Sequence, residues 1–516
     1  MSPHASSVRS GRAGRPSPTD QPTAVAAVQA ARAAASPRGE PAASNPWHPL
    51  LYERLRDEGL PVVVDKGTIT PAGSLWTGAR LWTHAFREAS LQAGDRLVLA
   101  LPPSTAFVQV LVAALWEGLT VAIATPTEDV GALCDELEAR GAVGPQPGPH
   151  TWTPAGQTGP HHSPDTLRTP AAPPTPHVRF LLRTSGTTQL ARWIALSDRN
   201  VLSVLASHLP RLTLQRARVL SVLPWSHAFG LVLELLPALM AGAEIIRDPD
   251  GGREPAALVQ RADTWSATHL SSVPLTIQRL LEVEGGTALL RRLHGGIVGG
   301  APVPGPLAEQ LSETRLRAGY GQTEAAPGIT LGPPGRWAAH YLGRPLGCSV
   351  DVAEDGELRF HGPNAYVGVW RRHEGLDRRS PDGPVHTGDL VRRDGDDLYF
   401  EGRKDTTFSL SNGRLVPAGA LEGRLKRAHP ALHDALLYTP DGTNVALALC
   451  AASPAARPSE DALRDTLGAL GTRLVQTTVV PPDDWAQRPK GTVDRAAMTD
   501  RLRTGASPPG PSPDAS

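Results

Sequence analysis

The densest run of hydroxyl side chains in this chain is Thr184-Ser185-Gly186-Thr187-Thr188, followed at a short interval by Arg192. Glycine lets the backbone approach a ligand, and consecutive N–H groups can close on an anion. An arginine adds a planar fork matched to phosphate oxygens. A Ser/Thr turn between two elements has the same composition, so this run alone leaves both readings open. Further clusters each follow an apolar run: Trp225-Ser226-His227-Ala228-Phe229-Gly230, Gly299-Gly300-Ala301-Pro302, Tyr320-Gly321-Gln322-Thr323-Glu324, and Thr387-Gly388-Asp389 with Gly402-Arg403-Lys404-Asp405. In open α/β sheets ligands bind beyond the carboxyl ends of strands. Loops carrying phosphate, ring and carboxylate chemistry in such places predict a nucleotide site. The chain has no Gly-Lys-Ser/Thr, and no Gly-x-Gly-x-x-Gly follows a strand. P-loop kinase and dinucleotide dehydrogenase readings therefore lose support.

These clusters need a scaffold, and apolar periodicity supplies it. Residues 96–101, 120–124 and 178–182 read as buried strands, separated by helical patterns at 76–93 and 106–115. That alternation predicts an α/β layered unit with a largely parallel sheet. The rhythm returns in strands 219–223, 243–247, 267–273 and 295–299, with helices 198–209, 231–240, 256–263 and 274–282 between them, so a second sheet is expected. Asp198 is read as the N-cap of its helix. Short strands with glycine turns at 350–352, 357–360, 390–392 and 398–400 predict a small β-rich part.

The expected organisation has four parts. Residues 1–45 are too poor in large apolar side chains to offset their ordering entropy and are read as a disordered tail. Residues 46–404 form the large domain, with an irregular Pro/Gly/His/Thr insertion at 144–177. Residues 405–503 form a small α+β domain, and 504–516 a second disordered tail. The fold class is thus α/β with layered subdomains, a β-rich part and a small C-terminal α+β domain.

Bulk properties narrow the function classes. Lys plus Arg and Asp plus Glu both total 51, so the formal net charge is zero, which gives no general case for nucleic acid. No apolar run reaches the ~18 residues a membrane span needs. Cys134, Cys348 and Cys450 are widely spaced and form neither a zinc pattern nor a disulfide framework, which predicts a reducing, cytoplasmic setting.

Taken in order and spacing, the clusters resemble those of the adenylate-forming superfamily: acyl- and aryl-CoA synthetases, peptide-synthetase adenylation domains and luciferases. The resemblance runs from about Leu81 to about Met498. It implies ATP and Mg²⁺ as cofactors and a small-molecule carboxylic acid as substrate. The thiol of coenzyme A, or of a phosphopantetheine on an acyl-carrier protein, is the implied acceptor. By the same resemblance Thr184, Ser185, Gly186, Thr187, Thr188 and Arg192 form the phosphate loop. Gly300 and Ala301 lie on the adenine side. Tyr320 stacks on adenine beside Gly321, Thr323 contacts the α-phosphate, and Glu324 holds magnesium. Asp389 binds the ribose hydroxyls with support from Arg403, Asp405 is the hinge, and Arg414 meets phosphate. His227, Ala228, Phe229, Gly230 and Gly296 are candidates for the acid pocket.

The chain also departs from the family pattern. Arg192 replaces the loop lysine, and Gln189 replaces the loop's last glycine. Asn412 stands where many members have glycine beside the thiol tunnel. In the last motif Thr492 falls where the family has its adenylation lysine, with Lys490 two residues earlier. Trp225–Gly230 has no carboxylate to pair with a substrate ammonium, and a buried unpaired ammonium is costly. An acyl or aryl acid without an α-amine is therefore expected. The reading is ATP-dependent activation of such an acid to an acyl-adenylate, followed by transfer to a thiol. Two alternatives keep the fold. One changes the nucleophile, giving amide, β-lactone or diazo products, and the other is a catalytically weakened nucleotide-binding homologue.

Overall fold

The computed structural model describes residues 20–34, 45–55, 62–146, 151–153, 178–184, 192–429, 431–486 and 493–504. The first α/β unit is built as its periodicity requires. Four parallel strands, Gly141–Val143, Arg96–Leu99, Thr120–Ile123 and Val178–Arg183, lie side by side. Thr120–Ile123 is buried throughout, as a strand covered on both faces must be. Thr151–Trp152 extends one edge of this sheet, inside the region read as an irregular insertion. On the other side Trp193–Ser197 pairs antiparallel with Val178–Arg183, then continues to Gly368–Arg371 and Gly375–Arg378. The strand Trp193–Ser197 was not expected. It pairs antiparallel with the strand that precedes the hydroxyl run, and Ser185 to Thr188 themselves lie outside the described residues.

The second sheet is present without its expected strand 295–299, since Ile297–Val298 joins the third sheet. Arg218–Ser221, Glu244–Arg247 and His269–Ser271 run parallel, and an unexpected hairpin of Val62–Asp65 and Thr68–Pro71 completes it. That hairpin ends where the next helix begins, so this helix spans Ala72–Glu88 instead of 76–93. The third sheet gathers the β-rich part. Its strands follow the order Ile297–Val298, Arg317–Tyr320, Thr330–Leu331, Tyr341–Pro345, Asp397–Arg403, Val385–Asp394, Glu357–His361 and Ser349–Val352.

Two local assignments change. The helix Asp198–Leu212 is capped by Ser197, whose side chain and that of Asn200 form a reciprocal capping box. Asp198 is buried and bonds Arg179 at 2.7 and 3.0 Å, with the Trp47 indole donating to the same carboxylate. The segment read as helix 231–240 opens with a π-turn over Leu231–Leu235, which turns Glu234 into the interior.

The expected N-terminal tail is also corrected within the described residues. Asp20–Ala34 is a helix that buries Ala24, Val28 and Ala31 and packs on the helix Asp198–Leu212. These small side chains recur at helical spacing, so they cover an existing helix without needing a core of their own.

Beyond Lys404 the chain builds its own apolar cluster, including Val416, Leu425, Leu437, Leu447 and Leu463. A two-stranded ribbon, Thr407–Ser409 with Leu415–Pro417, precedes a three-stranded sheet of Asp434–Tyr438, Val445–Cys450 and Leu474–Val480. The expected helix 460–470 divides into an α-helix Glu460–Leu467 and a 3₁₀ segment Gly468–Arg473. Among the described residues no helix is long and apolar enough to cross a membrane.

Candidate active site

Tyr320 ends the strand Arg317–Tyr320, and its hydroxyl donates to Asp389 Oδ2 at 2.6 Å. Arg403 Nη1 donates to Asp389 Oδ1 at 3.0 Å. Asp389 and Arg403 are direct cross-strand partners in an antiparallel pair. These two residues therefore sit within strands and do not follow one. The register presents a carboxylate, a guanidinium and a phenol on one small patch. Asp389 is buried. Burial and the neighbouring Asp389 charge push the Tyr320 phenol well above its usual range, so it stays protonated and donating.

The Asp389 turn is held from behind by Glu357, which is buried. Its Oε1 accepts the Gly388 backbone N–H at 2.9 Å, and its Oε2 faces His386 at 3.0 Å and Lys404 Nζ at 2.9 Å. Burial pushes this carboxyl up, but His386, Lys404 and the Gly388 N–H together outweigh it and hold it below the usual range. Gly388 has φ +71°, where an L side chain is strained, and a Cβ there would stand 3.2 Å from Arg403 Nη2. Thr387 donates to the Leu358 carbonyl at 2.6 Å and accepts the Asp389 N–H at 3.1 Å. Glu357 was missed in the sequence. A single glutamate in a β-hairpin carries no spacing signal, because its partners lie far along the chain.

Thr323 and Glu324 open a 3₁₀ turn after Tyr320. Gly321 ahead of them packs so closely that a Cβ would overlap the Pro327 carbonyl oxygen. Asn364 bonds the Gly328 carbonyl at 2.7 Å, and Asn200 bonds the Ala365 carbonyl at 2.7 Å, so the returning loop is tied down. Arg192 Nη2 lies 3.9 Å from Glu324 Oε1. Burial raises the Glu324 carboxyl, and its own backbone N–H, then Arg192 and Arg403, partly offset this. A partly buried carboxylate with only a distant cation fits a site that completes its charge balance with a bound cation. Among the described residues no group of three His, Cys, Asp or Glu gathers for a metal. Magnesium is usually held by one or two carboxylates together with substrate phosphates, and Glu324 is a carboxylate of that kind.

The base of the hydroxyl loop is closed by Thr184 N–H donating to the Arg192 carbonyl at 3.0 Å. Arg183 at its edge is committed to Glu128 and lies over the Trp193 ring. Ser185, Gly186, Thr187, Thr188, Gln189, Lys490 and Thr492 lie outside the described residues.

Gly299, Gly300, Tyr320 and Gly321 line a cavity of about 50 Å³ together with Phe229 and His208. Of the five pocket candidates, Phe229 lines this cavity. Ala228 is buried in the core below it, and Gly230 packs against the Pro224 carbonyl. His227 is exposed at the start of the following helical turn. Gly296 is a packing position: a Cβ there would overlap the Leu270 carbonyl of the neighbouring strand. Ala301 is exposed just past Gly300. His208 gave no sequence signal, because a lone histidine on an apolar helix face reads as core.

Arg414 is exposed on the turn between Thr407–Ser409 and Leu415–Pro417, and among the described residues its side chain has no ion-pair partner. Asp405 lies in the 3₁₀ turn Lys404–Thr406 that joins the large sheet to this ribbon.

Comparison with known proteins agrees with the geometry. A feruloyl-CoA synthase of Amycolatopsis sp is 29% identical over 265 residues, covering 48% of this chain and 54% of the relative. A long-chain-fatty-acid–CoA ligase of Yersinia pestis is 30% identical over 279 residues, covering 49% of this chain and 48% of the relative. The chain thus spans about half the length of the curated relatives it matches. The o-succinylbenzoate CoA synthetase MenE of Bacillus subtilis, solved with ATP and magnesium, shares the fold with a TM-score of 0.70 at 18% identity. That match covers 87% of this chain and 99% of the other. Residues 58–370 match the model of the AMP-binding enzyme family, more than half of the chain, and the chain belongs to that adenylate-forming family.

Proposed function

We propose that this protein uses ATP to activate a carboxylic acid as an acyl-adenylate and then passes the acyl group to a thiol. The observation that carries the reading is the Tyr320–Asp389–Arg403 patch, with Tyr320 also lining a cavity beside Gly300 and Gly321, and with Arg192 3.9 Å from Glu324 on the turn that follows. Asp389 offers carboxylate oxygens to a vicinal diol such as ribose. Tyr320 and the bare backbone of Gly300 and Gly321 leave a slot for a flat base. Thr184, Thr323 and Arg192 supply donors for phosphate.

A carboxylate is a poor electrophile, because its oxygen leaves badly. In the proposed reaction a carboxylate oxygen attacks the α-phosphorus, and the bond from that phosphorus to the β-phosphate oxygen breaks. Pyrophosphate leaves with the charge, and preorganised donors stabilise it as it develops. A magnesium ion held by Glu324 and the phosphates would supply Lewis-acid charge neutralisation. Thr323 and Arg192 then orient the phosphate oxygens. A thiolate attacks the acyl carbonyl in the second half-reaction and AMP departs. Coenzyme A is the favoured acceptor, because the similar proteins are named for it. A carrier-protein thiol is the other. We propose a boundary near Asp405, with the small domain moving about it to present Arg414 and then the thiol.

The acid lacks an α-amine in this reading, because neither the exposed His227 nor the apolar wall at Phe229 offers an ammonium partner. Thr492 in the lysine position favours a second reading, in which the site binds nucleotide but adenylates slowly or serves another nucleophile. A pyrophosphate-release screen over fatty, aryl and hydroxy acids with magnesium-ATP, with and without coenzyme A, separates these. Acid-dependent release that yields a thioester supports the first reading. Products without thiol point to a different nucleophile, and calorimetric ATP binding with no release from any acid supports the weakened homologue.

A further inference from the structure

His208 sits on the helix Asp198–Leu212 with its ring almost fully buried, and it forms part of the wall of the cavity that Phe229 and Tyr320 share. Its Nδ1 lies 3.0 Å from the Val204 carbonyl and 2.9 Å from Ser207 Oγ. Ser207 donates its own hydrogen to the same carbonyl at 3.0 Å. A carbonyl only accepts, so Nδ1 carries a hydrogen. Burial first, only partly offset by that backbone bond, lowers the ring pKa to about 4, so the ring is neutral at ordinary pH. The second nitrogen, Nε2, then holds a bare lone pair. Among the described residues it has no hydrogen-bond partner.

The other polar side chains of the wall are already engaged in hydrogen bonds. Tyr320 gives its hydrogen to Asp389, and Thr330 gives its hydrogen to the Leu342 carbonyl. Phe229, Leu233, Ile297 and Leu331 are apolar. The imidazole edge fits because residue 328 is glycine: a Cβ there would lie 2.6 Å from His208 Cε1 and 3.0 Å from Nε2. A buried acceptor left unpaired is costly, and buried polar groups in folded proteins are nearly always satisfied.

We propose that His208 Nε2 is the specificity-determining acceptor of the acid pocket and reads a hydrogen-bond donor, a hydroxyl or an amine N–H, on the acid's far end. This rests on the acid-activation reading above. The small cavity admits one such group beside the ring or chain that bears it. Acids with a hydroxyl or amino substituent are then preferred over the same acids with methyl or fluorine there, since methyl donates nothing and fluorine only accepts.

The test uses matched benzoic and cinnamic acids carrying hydroxyl, amino, methyl or fluorine at the meta or para position. Pyrophosphate release gives kcat/KM, and calorimetry with the full chain gives acid affinity independently of turnover. The wild type is expected to favour the best donor acid over its methyl partner by about tenfold or more in both readouts. His208→Phe is expected to bring the ratio to within about threefold of one, chiefly by weakening the donor acid. His208→Gln, which keeps an acceptor near the Nε2 position, retains a donor preference and covers the case of a Phe variant that does not fold. No donor preference in any wild-type pair, or a preference that His208→Phe leaves intact, overturns the proposal. A donor preference in affinity that depends on His208, with no pyrophosphate from any acid, upholds this assignment while the acid-activation reading falls.

Discussion

The two walls of the candidate site are built on opposite plans. On the side proposed for the nucleotide one carboxylate, Asp389, takes a phenol and a guanidinium, and a second carboxylate, Glu357, takes a backbone N–H, an imidazole and a lysine. Each polar atom there is constrained by several others. On the side proposed for the acid the wall is mostly apolar, and the buried His208 Nε2 has no hydrogen-bond partner among the described residues. The contrast separates two tasks. Gripping a constant ligand rewards redundant, charge-assisted contacts, which fix geometry before binding. Choosing among acids rewards few polar atoms in a shaped apolar cavity, where one mismatch is decisive.

If the nucleotide side is a preorganised network, its centre is its most sensitive point. Asp389→Ala removes the expected ribose contact and strips Tyr320 and Arg403 of their shared acceptor. A loss of about 10³-fold in kcat/KM for ATP, read by pyrophosphate release, is expected. A loss below about tenfold would make the network structural ornament and erase the contrast. Lys490→Ala tests whether catalysis also depends on the lysine two residues before Thr492, which lies outside the described residues. Removing a preorganised phosphate donor costs about 10²–10³-fold in acid-dependent pyrophosphate exchange. An unchanged rate excludes Lys490 as the stand-in for the lysine replaced by Thr492.

This contrast also marks what the sequence could and could not convey. The parallel strands around Thr120–Ile123 and Arg218–Ser221 were legible, because strands buried on both faces are uniformly apolar. The polar side of the site was legible as clusters, since Tyr320, Glu324 and Asp389 sit in runs of glycine and hydroxyls. Trp193–Ser197 was hidden because its antiparallel pairing depends on a partner across the loop, not on its own pattern. The helix Asp20–Ala34 was hidden because alanine carries almost no hydrophobic signal until a neighbouring helix exists to receive it. Glu357 and His208 were illegible for a deeper reason. Each acts through residues distant in sequence, Gly388 and Lys404 for the one, Phe229 and Gly328 for the other.

Glu357 distinguishes support from direct contact within the nucleotide wall. Glu357→Gln keeps the shape but loses the charge that gathers Lys404 and His386. The expected outcome is about a tenfold rise in the KM for ATP with a smaller change in kcat, because it positions Asp389 without touching the reacting atoms. It also predicts acid sensitivity. A carboxyl held below its unfolded pKa stabilises the fold above that unfolded value, and the contribution disappears as pH falls through the folded one. The melting temperature of the variant should therefore fall less than that of the wild type across the acid range. Parallel curves would remove Glu357 from the account.

The smallest effect tests the floor beneath the acid wall. Glu234 is buried on the π-turn, next to Leu233 of the cavity wall, and its Oε1 accepts from Ser221 at 2.5 Å and Trp225 Nε1 at 3.3 Å. Burial raises its carboxyl to about 7, and the Ser221 bond, Arg247 and the Trp225 bond only partly offset this. An unfolded glutamate titrates near ~4.3. The folded state therefore binds the proton more tightly, and that advantage is complete below the unfolded pKa. It is lost as pH rises from there through about 7, and the penalty on the fold is level above that. Glu234→Gln cannot ionise and escapes the penalty, which is on the order of 3–4 kcal/mol at full extent. Its melting temperature relative to wild type should thus rise by a few degrees between pH 5 and pH 8. The same difference at both pH values would mean that Glu234 is ionised throughout, and that the acid side, like the nucleotide side, rests on a settled charge.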